Sequence, residues 1–354
     1  MSDTIAVQEA PSLRETEERM LSRLSRFLPE FEIRLKAELA YEINRLKREQ
    51  NAVILGHNYM EPALYASVPD YVGDSLELSR ISAAASAEII VFCGVKFMAE
   101  TAKVLNPAKT VLIPAEKAGC SLAEGIAVED VRRLRDRFPG STVVSYVNTY
   151  ADVKAESDYC CTSGNAAAVV RHLIERGRER IIFLPDEFLA RNTASETGLP
   201  FVEGWKPDAV APEGPAVIGW SARCEVHDLF SVDDVLAVRR QFPEAIIIAH
   251  PECSPEVIEH VDISGSTKKM VEYVRTSDAN QFMLFTECSM GDNIASENPD
   301  KEMIRLCSQR CPHMALITLE DTLEALRRTQ YQIELPEDLI DRARLPIDRM
   351  LEIS

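Results

Sequence analysis

Three of the nine cysteines in this 354-residue chain stand in matching surroundings. Cys120 precedes the helical pattern SLAEGIAVEDVRRLRDRF, Cys224 precedes SVDDVLAVRRQF, and Cys311 stands before Pro312 ahead of a third helical pattern. A cysteine at a helix amino end feels the positive end of the backbone dipole, which favours the thiolate. Thiolates bind soft metals, and three of them leave a zinc ion or an iron–sulfur cluster with one open position for substrate. Three buried thiols are the plain alternative. Cys93, in the apolar run IIVFCGV, reads as one such thiol. Cys307-x-x-x-Cys311 is looser than a usual CxxC pair, and Cys160-Cys161 are too close together to share a cluster. Cys253 and Cys288 have no counterpart elsewhere in the chain.

A second constellation follows the apolar runs. His57-Asn58-Tyr59, Tyr146-Val147-Asn148 and His250-Pro251-Glu252 each stand where a β-branched stretch ends. The carboxyl ends of strands are where α/β sheets bind ligands. Together these tips supply imidazole, phenol, amide and carboxylate, a set able to hold and protonate a small polyoxygenated substrate. Ser75, Ser163 and Thr267 each precede a helical stretch and are expected to bind carboxylate or phosphate there.

The elements that must position these residues alternate. Strands are expected at Ala52 to Leu55, Ile89 to Cys93, Thr110 to Ile113, Thr142 to Val147, Ile181 to Leu184, Ala216 to Ile218, Ala245 to Ala249 and Phe282 to Phe285. Helical spans separate them, which indicates α/β architecture with parallel sheets. The segment Lys206 to Gly219 is the best loop candidate. A shift of 104 residues lays Cys120 on Cys224, Asp130-Val131 on Asp234-Val235, Phe138-Pro139 on Phe242-Pro243, Asp158 on Asp262 and Ser163 on Thr267. The first part of the chain repeats the strand-end half of this unit, with His57 followed by Asp70, Gly73 and Ser75. Its missing cysteine and helix reappear at Cys311.

The expected fold is therefore three similar α/β units with strand ends converging on one centre. Three unrelated Rossmann-like domains remain the alternative. The expected domains are a helical amino-terminal extension outside the core (1–35), a first domain from 36–118 plus 312–354 closed by the carboxy-terminal helix, a second at 119–222 and a third at 223–311.

Lys and Arg number 39 against 57 Asp and Glu, a net charge of −18, which argues against non-specific nucleic-acid binding. The longest apolar runs fall far short of the roughly 20 residues of a membrane helix. Residues 12–27 are charged and amphipathic, unlike a signal or transit peptide, so a cytoplasmic home is expected, with thiols rather than disulfides.

At GHNYMEPALY, DYVGDSLELSR, FMAETAKVLNP, SYVNTYADVKAESDYCCTSGNA, HPEC with DISGST, and CPHMALITLEDTLEAL the chain resembles the quinolinate synthase family, from about Leu35 to Met350. The resemblance implies three homologous three-layer α/β domains around a pseudo-threefold axis with the active site at the centre. It implies a [4Fe-4S] cluster on Cys120, Cys224 and Cys311 with the fourth iron open. It further implies condensation of iminoaspartate (iminosuccinate) with dihydroxyacetone phosphate to quinolinate, phosphate and two waters, in NAD biosynthesis. Substrate-binding positions carried over are His57, Ser75, Tyr146, Asn148, Ser163, His250, Glu252 and Thr267, and the acid/base roles fall to Tyr59 and Glu252. An aspartate oxidase or dehydrogenase is the expected source of iminoaspartate, and neither nucleic acid nor membrane is expected as a partner. A zinc hydrolase and a non-catalytic small-molecule binder are the competing classes. Zinc is the weaker fit on residue types, since catalytic zinc usually takes histidine or carboxylate ligands as well.

Overall fold

The computed structural model describes residues 12–210, 213–305 and 309–353. These form two compact units, one from 1–118 with 270–334 and the other from 119–269 with 335–354. The boundary between the units falls at 269/270, within the stretch 223–311 expected as a third domain, and the four strands described in that stretch belong to one sheet.

Thirteen strands are present among the described residues: β1 (Ala52–His57), β2 (Tyr71–Gly73), β3 (Ile89–Cys93), β4 (Thr110–Leu112), β5 (Thr142–Tyr146), β6 (Tyr159–Cys161), β7 (Arg180–Leu184), β8 (Phe201–Glu203), β9 (Ala216–Gly219), β10 (Ile246–Ala249), β11 (Ile263–Ser264), β12 (Gln281–Phe285) and β13 (Glu302–Met303). They make three parallel-strand sheets, as an α/β chain of this pattern should. The first runs β2-β1-β3-β4 and the second β6-β5-β7-β9-β8. In the third, β10 pairs parallel with β11, and β12 with β13. All eight expected strands are found. The five additional ones are edge pieces of two or three residues, too short to carry a periodic signal. β9 occupies the end of the expected loop Lys206 to Gly219.

The strands are anchored in the same way three times. The amides of Ile54, Val143 and Ile247 donate to the carboxylates of Asp70, Asp158 and Asp262 at 2.8, 2.8 and 2.7 Å. Each carboxylate also pairs with a cation from a preceding helix: Lys47 at 2.9 Å, Arg135 at 2.9 Å and Arg239 at 2.8 Å. The repeated aspartates therefore hold strands.

The helices repeat as well. Val128–Arg137, Val232–Gln241 and Leu319–Arg328 each span ten residues and start at the same offset from Cys120, Cys224 and Cys311. Asp130, Asp234 and Asp321 bond back to Ala127 N, Ser231 N and Thr318 Oγ1, respectively, at the helix starts. At Ser231 the capping is reciprocal, since Asp234 N also bonds to Ser231 Oγ, and it satisfies amides that no helical carbonyl can reach. This accounts for the matching aspartates at 130 and 234.

Two expectations need correcting. The amino-terminal helix Leu13–Leu24 is not outside the core: Met20 and Leu24 are wholly buried, and each apolar side chain so removed from water contributes about 1.5–3 kcal/mol. The carboxy-terminal segment also divides. Leu319–Arg328 lies in the first unit, where Gln50 donates to Leu326 O at 3.2 Å, whereas Glu337–Glu352 belongs to the second. There Arg349 donates to Asp158 O at 2.7 Å, and Asn165 donates to Ile353 O at 2.9 Å. No helix among the described residues is long and apolar enough to cross a membrane.

Candidate active site

Each of the three cysteines opens a single helical turn. The carbonyls of Cys120, Cys224 and Cys311 accept from Glu124 N, Asp228 N and Ala315 N at 2.9, 2.9 and 3.0 Å. In the second unit the Cys120 and Cys224 loops are stitched together. Ser121 Oγ accepts from Glu225 N at 3.2 Å and donates to Arg223 O at 3.5 Å. All three thiols are half-buried, whereas Cys93, Cys160, Cys161 and Cys253 are wholly buried. Half-buried thiols at helix starts suit ligation; wholly buried ones behave as apolar side chains. Burial pushes Cys93 and Cys160 up to about 12.

The dipole argument for an easily ionised thiol does not hold at Cys224. Burial and then the Glu252 charge push this thiol well above its ordinary range, outweighing the amides of His227 and Val226. A bound metal would supply the compensating positive charge. Cys288 departs from the thiol expectation, being disulfide-bonded. Cys307 lies outside the described residues.

Glu252 is the hub of the second unit. It is buried, and Tyr146 Oη donates to its Oε1 at 2.6 Å. His227 Nδ1 stands 2.8 Å from Glu252 Oε2 and 3.1 Å from Cys224 Sγ. The rings of His227 and His250 stack with centroids 4.7 Å apart. Burial opposes ionisation of Glu252, but the imidazoles of His250 and His227 and the hydrogen bonds from His227 and Tyr146 outweigh it. The carboxyl is held well below its usual range. Asp186, wholly buried nearby, is pushed the other way by burial and by the Glu252 charge, and its Oδ2 has no hydrogen-bond partner. Asn148 likewise carries a buried Oδ1 with no partner. A buried acceptor left over is costly unless a ligand satisfies it.

In the first unit Tyr59 Oη is 2.5 Å from Thr286 Oγ1, and its ring meets that of His57 edge-on at 4.8 Å. Thr286 lines a cavity of about 150 Å³ with Glu287, Cys288, Asp292, Arg305 and Arg310. Burial raises Glu287 to about 7. The two histidine tips match in detail: Tyr59 N donates to His57 Nδ1 at 3.3 Å, and Glu252 N to His250 Nδ1 at 3.4 Å.

Ser75 and Thr267 are the first residues of the helices Ser75–Ala84 and Thr267–Thr276, as expected. At Ser75 one amide of the start, Glu77 N, is already taken by the Asp74 carboxylate at 3.0 Å. Ser163 also precedes a helix, as expected, but is not its first residue. It lies in a turn before the helix Ala166–Glu175, whose start is Asn165. A Cβ placed on neighbouring Gly164 would lie 3.5 Å from Ser266 Oγ, so this turn abuts the Thr267 helix start.

His227 and Asp186 were not singled out from the sequence. His227 completes a Cys-x-x-His spacing, but Ala123 and Met314 stand at the equivalent places, so the repeat gave no signal. Cys224, His227 and Glu252 offer ligand atoms all within 4.8 Å of one another, a donor trio able to hold a metal ion. It includes the histidine and carboxylate whose absence counted against zinc.

Residues 41–352 match the family model described as Quinolinate synthetase A protein. The chain belongs to this family. Among its relatives, quinolinate synthase of Caulobacter vibrioides is 47% identical over 323 residues, covering 91% of this chain and 83% of that one. Quinolinate synthase 2 of Mesorhizobium japonicum is 46% identical over 334 residues, 94% of this chain and 97% of the other. Quinolinate synthase of Xylella fastidiosa is 48% identical over 311 residues, 88% and 86% of the two chains. The quinolinate synthetase A family is one of enzymes, and this chain is one of them. A non-catalytic binding protein is thereby set aside.

Proposed function

We propose that this enzyme makes quinolinate for NAD biosynthesis by condensing iminoaspartate with dihydroxyacetone phosphate, releasing phosphate and two waters. The observation that carries this reading is the repeated seating of Cys120, Cys224 and Cys311, each half-buried and opening a helical turn. Those cysteines would hold a [4Fe-4S] cluster whose open iron supplies Lewis acidity toward a substrate hydroxyl and carboxylate. The stitched loops of Cys120 and Cys224 and the compensation that Cys224 needs fit such a group.

The protein's own side chains do the rest. Tyr146 Oη takes a proton from the substrate as it passes its own to Glu252, which the two histidines keep as carboxylate until then. Tyr59, joined to Thr286, serves as the second proton carrier. Asn148 Oδ1 accepts a hydrogen bond from a substrate hydroxyl or imine. His57 and His250 orient the substrate, while Ser75, Ser163 and Thr267 bind its carboxylates and the departing phosphate. The iminoaspartate comes from an aspartate oxidase or dehydrogenase, and the enzyme works in the cytoplasm on small molecules alone.

The Cys224–His227–Glu252 trio favours a second reading, a mononuclear zinc site. Protein purified without air decides between them. The first reading requires brown protein with iron and sulfide in about cluster stoichiometry, and quinolinate from the two substrates. Colourless, zinc-loaded protein that makes no quinolinate would overturn it.

A further inference from the structure

The three strand-tip turns share a feature that no sequence motif announces. Each working residue is straddled by two backbone carbonyls that a single buried or half-buried amine or amide grips. Lys154 Nζ donates to Val147 O at 2.8 Å and to Thr149 O, on either side of Asn148. Asn192 Nδ2 donates to Pro251 O at 2.8 Å and Cys253 O at 2.9 Å, on either side of Glu252. Asn293 Nδ2 donates to Asn58 O at 3.0 Å and Met60 O at 2.9 Å, on either side of Tyr59. The turns are otherwise closed alike, with Thr149 Oγ1, Cys253 N and Met60 N bonding to the carbonyls of Tyr146, His250 and His57.

We propose that Lys154, Asn192 and Asn293 are positioning residues, each fixing the direction in which Asn148, Glu252 or Tyr59 presents its side chain. Pinning the carbonyls on both sides of a residue fixes the backbone dihedrals around its Cα, and with them the Cα–Cβ direction. A tilt of this kind is what catalytic groups tolerate least. Lys154 is wholly buried, an expensive place for an ammonium group. A carbonyl needs only one donor, which other side chains could supply. What recurs is one donor group shared between two carbonyls that bracket the residue at the tip. The inference rests on the proposed function for the roles of the three residues, but the grip is a property of the turns themselves.

The test uses the full-length, cluster-loaded protein with Lys154→Met, Asn192→Leu and Asn293→Leu. Hydrogen exchange read by mass spectrometry should quicken at 147–149, 250–253 and 57–60, respectively, and nowhere else in that unit. In turnover, N192L should lower kcat by about 10-fold alone but by less than about 3-fold on an E252Q background, the non-additivity of residues acting as one. Likewise K154M should raise KM alone and have no further effect beside N148A. Exchange that rises throughout a unit, or equal losses in both backgrounds, would show that these side chains merely hold the fold and would overturn the proposal. Should a variant fail to fold, Asn192→Asp, which keeps the shape and loses both donors, carries the same measurements. Failure of the wild-type protein to form quinolinate would defeat the functional reading instead, and the exchange pattern would still decide the grip.

Discussion

The Tyr146 hydroxyl and the Glu252 carboxylate form a 2.6 Å hydrogen bond between the carboxyl ends of β5 and β10, both within the second unit. The two residues lie 106 positions apart in sequence. The bond joins the phenol at one tip to the carboxylate at the equivalent tip of the next repeat. The phenol donates and the carboxylate accepts, so under the proposed function the two would work as one acid/base pair.

Tyr146→Phe removes that bond while leaving the ring packed. A hydrogen bond to a charged group is worth about 1.5–3 kcal/mol, so turnover should fall roughly 10- to 150-fold. The cluster absorption should stay as in the wild type, since the substitution leaves all three cysteines in place. Unchanged kcat would remove the pair from the chemistry.

Thiol chemistry should sort the cysteines by burial. In protein stripped of metal, iodoacetamide should label Cys120, Cys224 and Cys311, and leave Cys93, Cys160, Cys161 and Cys253 unmodified until unfolding. Cys224 should lag at neutral pH, because burial and Glu252 keep its proton on. Loading the cluster should protect all three together. Protection of only one or two, read by peptide mass, would contradict shared ligation.

Alkaline pH offers a separate check on the buried thiols. Cys160 is raised to about 12, against about 8.5 for a free thiol. A folded-state pKa above the unfolded one contributes stability that is complete below about pH 8.5 and drains away as pH rises toward 12. Between pH 8.5 and 10 the wild type should lose about 2 kcal/mol more than Cys160→Ala. Parallel urea midpoints over that range would show that Cys160 ionises as freely folded as unfolded.

The strand-anchoring aspartates should matter to folding alone. Asp262→Ala strips Ile247 N of a charged partner and Arg239 of its bridge, which should cost about 1–3 kcal/mol in a urea titration. The KM of protein that remains folded should be unchanged. A KM shift would place Asp262 in the site.

Much of this was open to reading from the residues. The eight expected strands are apolar runs buried on both faces, rich in β-branched residues except in β12, and the helices after the cysteines carry acidic starts and basic ends. The cysteines and strand tips stood out because the chain repeats them. Legibility fails where the repeat breaks. His227 has no counterpart at 123 or 314, and Asp186 reaches Glu252 only through folding. The last helix, Glu337–Glu352, has an amphipathic pattern that fits any apolar groove, and nothing in it names the second unit as its host. Two-residue edge strands such as β11 and β13 owe their existence to a neighbour's ladder rather than to their own residues.

The aspartate that moors each strand lies at the opposite end from the side chain that works. Copying such a unit duplicates the mooring and leaves the side chain at the tip at liberty to become a phenol, an amide or a carboxylate, because the bonds that hold the turn are made by backbone carbonyls. A machine assembled from duplicates can in this way hand each copy a different trade without rebuilding any of them.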